Sequence, residues 1–152
     1  MRLRTWPALG AVVAVGLLGT QPAMAAQASV EFSAGSGDQC GRGVTEGTLD
    51  WLEGPVIKPI VQVKGTLADD PDISPCAPDQ MHSRATFTAY NGDTIVDSET
   101  LRADDGTVEL DFGLSDPNGV TAIDRVVVQV CRFPNSPIGT SYCGKAAEYK
   151  TP

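Results

Sequence analysis

Apolar and polar residues alternate one for one through most of the chain, the period of a strand with one buried face. Thr45, Gly47, Leu49 and Trp51 alternate with polar neighbours until Glu53-Gly54-Pro55 breaks the run. Val61, Val63 and Leu67 point one way, and Gln62, Lys64 and Thr66 the other. Ala85, Phe87 and Ala89 repeat the pattern against Arg84, Thr86 and Thr88, and Asn91-Gly92 leads straight into Ile95-Val96. Asn-Gly between two such runs predicts a hairpin on a type I′ turn, which needs positive φ at both central residues. Asp105-Gly106 predicts a second turn of this kind before Val108, Leu110 and Phe112, and Asp116-Pro117-Asn118-Gly119 a third. Val126, Val128 and Val130 mark the most buried strand, and Ala147 and Tyr149 the last.

No stretch keeps a helical period. Short strands bounded by Gly, Pro, Asn and Asp predict an all-β fold, an immunoglobulin-like antiparallel β-sandwich of about seven strands. The Cys…Trp…Cys order of antibody domains is absent, because Trp51 precedes three of the four cysteines.

Residues 1–25 break this pattern. Arg2 and Arg4 precede an apolar run from Ala8 to Leu18, and Ala23-Met24-Ala25 supplies small residues where a signal peptidase cuts. That order predicts a secretory signal peptide, with cleavage near Ala25-Ala26. The apolar run falls short of the ~20 residues of a membrane span, so no membrane anchor is expected. Residues 26–43 read as an extended or flexible N-terminal arm, in which Ala28, Val30 and Phe32 alternate before a Gly- and Ser-rich linker. Residues 44–152 read as the sandwich domain. Three readings stand for the arm: a donor strand for a partner, the first strand of the domain, or a disordered tail.

Loss of Arg2 and Arg4 with the signal takes the formal net charge from −8 to −10. Such an acidic surface repels nucleic acid and anionic membranes, which argues against them as partners. Cys40, Cys76, Cys131 and Cys143 all follow the cleavage site, and an even number in an exported chain predicts two disulfides. Of the three possible pairings, a hairpin joining the valine strand to the last strand would set Cys131 opposite Cys143. Cys40–Cys76 is then the second bridge. The loop so stapled would hold Phe133, Ile138 and Tyr142 near its tip, and a loop ordered in advance loses less entropy on binding.

Catalytic candidates are thin. His82 is the sole histidine, no G-x-S-x-G elbow accompanies it, and an exposed loop histidine is the better reading. One imidazole and no C-x-x-C pair cannot build a zinc site. Asp69, Asp70 and Asp72 offer oxygen ligands but lack calcium-loop spacing, so a solvated turn is expected there. No enzyme activity and no cofactor are expected.

The overall plan of signal, acidic body and two disulfides resembles small secreted actinobacterial β-sandwich proteins. Apoproteins of the neocarzinostatin type share it, which implies carriage of a small ligand, although both of their disulfides close short loops. Streptomycete subtilisin inhibitors share the four cysteines, and Ser74-Pro75-Cys76-Ala77-Pro78-Asp79-Gln80-Met81 is similar to their reactive segment. The adaptor subunits of umbrella toxin particles share the extended N-terminal segment. That resemblance implies a non-catalytic adaptor in an antibacterial toxin complex, and no residue motif is inherited from it. The expected partner is another extracellular protein, bound through Ala28, Val30 and Phe32 of the arm or Phe133, Ile138 and Tyr142 of the stapled loop. A protease inhibitor or small-ligand carrier is the alternative. The exported protein should begin at or beside Ala26 and contain no reactive thiol; intact mass and thiol titration check both, and two reactive thiols would refute the disulfides.

Overall fold

A computed structural model describes residues 26–54, 57–70, 76, 79–117 and 121–152, so the signal-peptide reading of residues 1–25 lies outside the described residues. Among these described residues nine strands follow in chain order: β1 (Ala26–Gly35), β2 (Val44–Gly54), β3 (Ile57–Ala68), β4 (Met81–Asn91), β5 (Thr94–Ala103), β6 (Thr107–Leu114), β7 (Arg125–Pro134), β8 (Tyr142–Cys143) and β9 (Ala147–Lys150). No described residue is helical. One sheet runs β1-β2-β3-β6 and the other β5-β4-β7-β8, with β9 also on β7. All pairings are antiparallel.

The sandwich is immunoglobulin-like. β2-β3-β6 faces β5-β4-β7, and β8 and β9 are successive pieces of one returning strand along β7. Seven strands become nine because that last strand is interrupted and because β1 is added outside β2. The alternation in sequence becomes the core directly. Leu49, Trp51, Val61, Val63 and Leu67 from one sheet meet Ala85, Phe87, Val126, Val128 and Val130 from the other, all buried. Trp51 satisfies its indole N–H on the carbonyl of Ile123, 3.0 Å away.

Two turns differ from expectation. Asn91 pairs with Thr94, so the hairpin loop is Gly92-Asp93, and only Gly92 has positive φ (56°). This is the pattern of a type II′ loop, displaced one residue from the expected type I′ turn. The amide of Asn91 instead reaches the carbonyl of Ala122. Asp105-Gly106 makes no hairpin at all: it carries the chain from β5 in one sheet to β6 in the other. Asp105 takes positive φ (50°) and donates its N–H to the Asp69 carboxylate, while Gly106 accepts from the Asp69 N–H.

β1 pairs with β2 over its whole length, from Ala26 opposite Glu53 to Gly35 opposite Val44. Phe32 is 3% exposed and meets Phe87 of the facing sheet edge-on at 5.4 Å. Ala28 and Val30 are partly buried against the same core. Of the readings open for this segment, the structure has the domain strand: the side chains that would have filled a partner's groove lie in or against their own core. Opposite Phe32 stand Gly47 and then Gly65, where β2 and β3 approach so closely that a Cβ on Gly47 would lie 1.9 Å from the Lys64 carbonyl oxygen.

Phe32→Ala should lower unfolding stability by about 3–5 kcal/mol, the range for truncating a buried phenylalanine. Denaturant melts check this, and an unchanged midpoint would place β1 outside the cooperative unit.

Candidate functional site

Four connections gather at one end of the sandwich. They are the β1–β2 link (residues 36–43), the β3–β4 loop that begins at Asp69, the β5–β6 crossing and the β7–β8 loop (residues 135–141). What gathers them begins with one residue of β7. The valine alternation continues inward to Arg132, which is fully buried on the core face. Its Nη1 donates to Oδ1 of Asp69, and its Nη2 to Oδ2 of Asp79 at 2.6 Å. Asp69, also fully buried, accepts further from the Ser83 hydroxyl and the Asp105 N–H. Asp79 pairs in turn with Arg42 Nη1 at 2.9 Å. Burial pushes the Asp69 carboxyl above its ordinary value, against the pull of Ser83, Asp105 and Arg132.

The disulfides complete the frame. Cys40–Cys76 ties the β1–β2 link to the β3–β4 loop, and Cys131–Cys143 staples the base of the β7–β8 loop across paired residues, as the hairpin argument requires. Tyr142, opposite Arg132, donates its hydroxyl to Asp38 Oδ2 at 2.7 Å. Burial and the Asp38 carboxylate together push the Tyr142 phenol up to about 12. Asp38 is partly desolvated, which raises its pKa, yet Tyr142 and the N–H groups of Cys40 and Arg42 outweigh this and hold it below its ordinary value.

A second cluster fixes the near end of the loop. The Asn135 N–H donates to the Gln80 carbonyl at 2.9 Å. Its side-chain oxygen accepts from Arg102 and from His82 Nδ1, which therefore carries the imidazole proton. His82 Nε2 is left to accept from Arg84 Nε at 3.1 Å. The Asn135 amide also donates to Asp104, which holds that carboxyl low together with Arg102. Phe133 stacks on His82, with ring centroids 5.8 Å apart, and carries the Arg84 guanidinium 4.8 Å over its ring.

Sequence expectations land unevenly here. His82 is not an exposed loop histidine: it is the second residue of β4, 5% exposed, with both nitrogens engaged. Ser83 faces the other way, into the core, and bonds Asp69. Asp69 is no solvated turn residue but a buried ion-pair partner, because its chain position at the end of β3 points it inward at Arg132. Asp70 is exposed, and Asp72 lies outside the described residues. The six expected contact residues do not converge on one surface. Phe32 is in the core, Phe133 lies half-buried beneath Arg84, Tyr142 borders the β1–β2 link, and Ile138 stands at the loop tip, 87% exposed. Arg132 and Arg84 are the residues that sequence reasoning passed over. An arginine in phase with three inward valines was the available signal for Arg132; Arg84 had none without the strand register.

No protein-family profile, curated protein or solved structure matches this chain. The site therefore rests on its own geometry.

Folding keeps the proton on Tyr142. The hydroxyl–Asp38 bond thus contributes fully below the phenol's ordinary value of 10.0, and the contribution is lost as pH climbs toward about 12. A phenolate absorbance titration should show a late step near pH 12 that disappears in Tyr142→Phe; a late step surviving the substitution would assign it to another tyrosine.

Proposed function

We propose that this protein is a secreted, non-catalytic interaction module that docks another extracellular protein through the loop stapled by Cys131–Cys143. The observation that carries the reading is Ile138, 87% exposed on a loop held at both ends. A single exposed apolar side chain is ordinary on a soluble surface; what singles out Ile138 is the constrained loop that presents it. Here the loop is closed locally by Ser136 Oγ donating to the Ile138 carbonyl, and Gly139 packs so close to Pro134 that a Cβ would lie 2.7 Å from it. The isoleucine is therefore presented by a pre-ordered support, and docking loses little loop entropy.

Several observations support the rest. Two disulfides belong to an oxidising compartment, and no described helix is long and apolar enough to cross a membrane. Export by residues 1–25 fits that setting. A non-catalytic role fits a lone histidine committed to Asn135 and Arg84. An adaptor within an extracellular antibacterial toxin complex is one form such a module takes, with the stapled loop rather than β1 as its contact.

A second reading, carriage of a small ligand, is favoured by an open cleft of about 610 Å³ over β1, β2 and β3, lined by Phe32, Gly47, Gly65 and Tyr149 among others. A small molecule retained in the native mass spectrum of the exported protein would support it.

The test of the docking reading is Ile138→Asp. This exposed change should leave unfolding stability within about 0.5 kcal/mol. Affinity for the stoichiometric partner recovered from culture fluid and then purified should fall about 30-fold or more, the loss of a hot-spot anchor. Unchanged affinity would overturn the reading.

A further inference from the structure

On the outer face of the β5-β4-β7 sheet, Arg84 lies directly across from Arg102. Like charges at opposed cross-strand positions repel. The two arginines solve this differently. Arg102 is neutralised by Asp104 at 2.6 Å. Arg84 has no carboxylate within ion-pair distance among the described residues, although the chain as a whole carries a net charge of −8.

Arg84 is nevertheless held in place. Its Nε–H is taken by His82 Nε2, and its guanidinium plane is supported by the Phe133 ring. Both Nη groups are left without a hydrogen-bond partner among the described residues, and the side chain is exposed. A planar fork held at Nε, with two unbonded Nη groups on an exposed side chain, matches a carboxylate, which accepts two parallel N–H bonds. The weak hydration of a stacked guanidinium lowers the penalty for covering it.

We infer that Arg84 is a carboxylate-anchoring subsite, which takes an aspartate or glutamate side chain of the protein that docks on the stapled loop. The inference rests on the docking reading and names the chemistry of its partner. Continuity on the page joins the two: Asn135 belongs to the stapled loop, and it is the residue that fixes both His82, which holds Arg84, and Arg102 beside it. Phe133, two positions before the loop's Asn135, also carries the Arg84 guanidinium, so Arg84 adjoins the base of the loop that presents Ile138. Charge complementarity selects the partner group, since an unneutralised arginine beside a second arginine gains most from an anion.

The probe is acetate. Isotope-labelled exported protein, with both disulfides intact, is titrated with sodium acetate and separately with sodium chloride at matched ionic strength, following the side-chain Nε–H resonances of the arginines. The Arg84 resonance should shift saturably in acetate and stay nearly still in chloride. Arg84→Lys, which keeps the charge but loses the fork, should remove the acetate response of the neighbouring His82 ring. Equal responses in acetate and chloride, no response at Arg84, or a tighter response at Arg84 in a parallel sodium phosphate titration would each overturn the carboxylate assignment. Arg84→Lys should also weaken the purified partner about tenfold or more, as expected for losing a charged hydrogen-bonded pair. If Arg84→Lys binds the partner normally while Ile138→Asp does not, the carboxylate subsite fails and the docking loop stands. If both bind normally, the docking loop itself fails.

Discussion

Arg132 sits fully buried at the end of the valine strand, and the arrangement of the loop end follows from satisfying it. A guanidinium taken out of water costs several kcal/mol unless it is paired and hydrogen-bonded on nearly every side. Asp69 and Asp79 pair its two Nη groups, from the two ends of the β3–β4 connection, while its Nε has no hydrogen-bond partner among the described residues. Asp79 draws in Arg42 from the β1–β2 link, and Asp69 draws in Ser83 and the crossing at Asp105. Five separate segments are thereby referred to one side chain. The gain is positional rather than energetic, because an apolar replacement of the whole cluster could match its stability while leaving the loops without a reason to meet where they do.

That frame sets what the surface can do. One disulfide bridges the β1–β2 link to the β3–β4 loop, which ion pairs also join, and the other closes the neck of the β7–β8 loop. Tyr142 and Asp38 join the two stapled regions. The result is a constrained support that carries an exposed isoleucine on the loop and, at the loop's base, an exposed arginine over Phe133. The groups around the loop are fixed by their neighbours, and the one imidazole is engaged at both nitrogens.

β1 shows the same economy at the sheet edge. An edge strand presents unpaired N–H and C=O groups that invite another chain. Tyr149 of β9 turns its hydroxyl onto this edge, accepting from the Ser33 N–H at 2.9 Å and donating to the Ser33 carbonyl at 2.7 Å. With Phe32 held edge-on between Phe87 and Tyr149, the strand is locked by its own domain at its C-terminal half.

The period-two alternation determined, by itself, that this chain forms β-strands and which faces they bury. Leu49, Trp51, Val63, Phe87 and Val128 are core residues because a pleated strand sends every second side chain to one side. Cys131 and Cys143 were likewise legible, because their bridge spans the neck of a hairpin and needs only local pairing. What lay beyond the sequence were the contacts between segments distant along the chain. Asp105-Gly106 has the letters of a hairpin yet crosses between sheets, since Asp69 holds its backbone. Asp69 resembles a solvated turn residue until Arg132 arrives from 63 residues away. Arg84 reads as an ordinary polar strand position, and only strand register sets it opposite Arg102 and over Phe133. Local pattern decides hydrogen bonding and facing along one strand; which charges meet depends on how separate strands are brought together, and that is decided only in the folded sandwich.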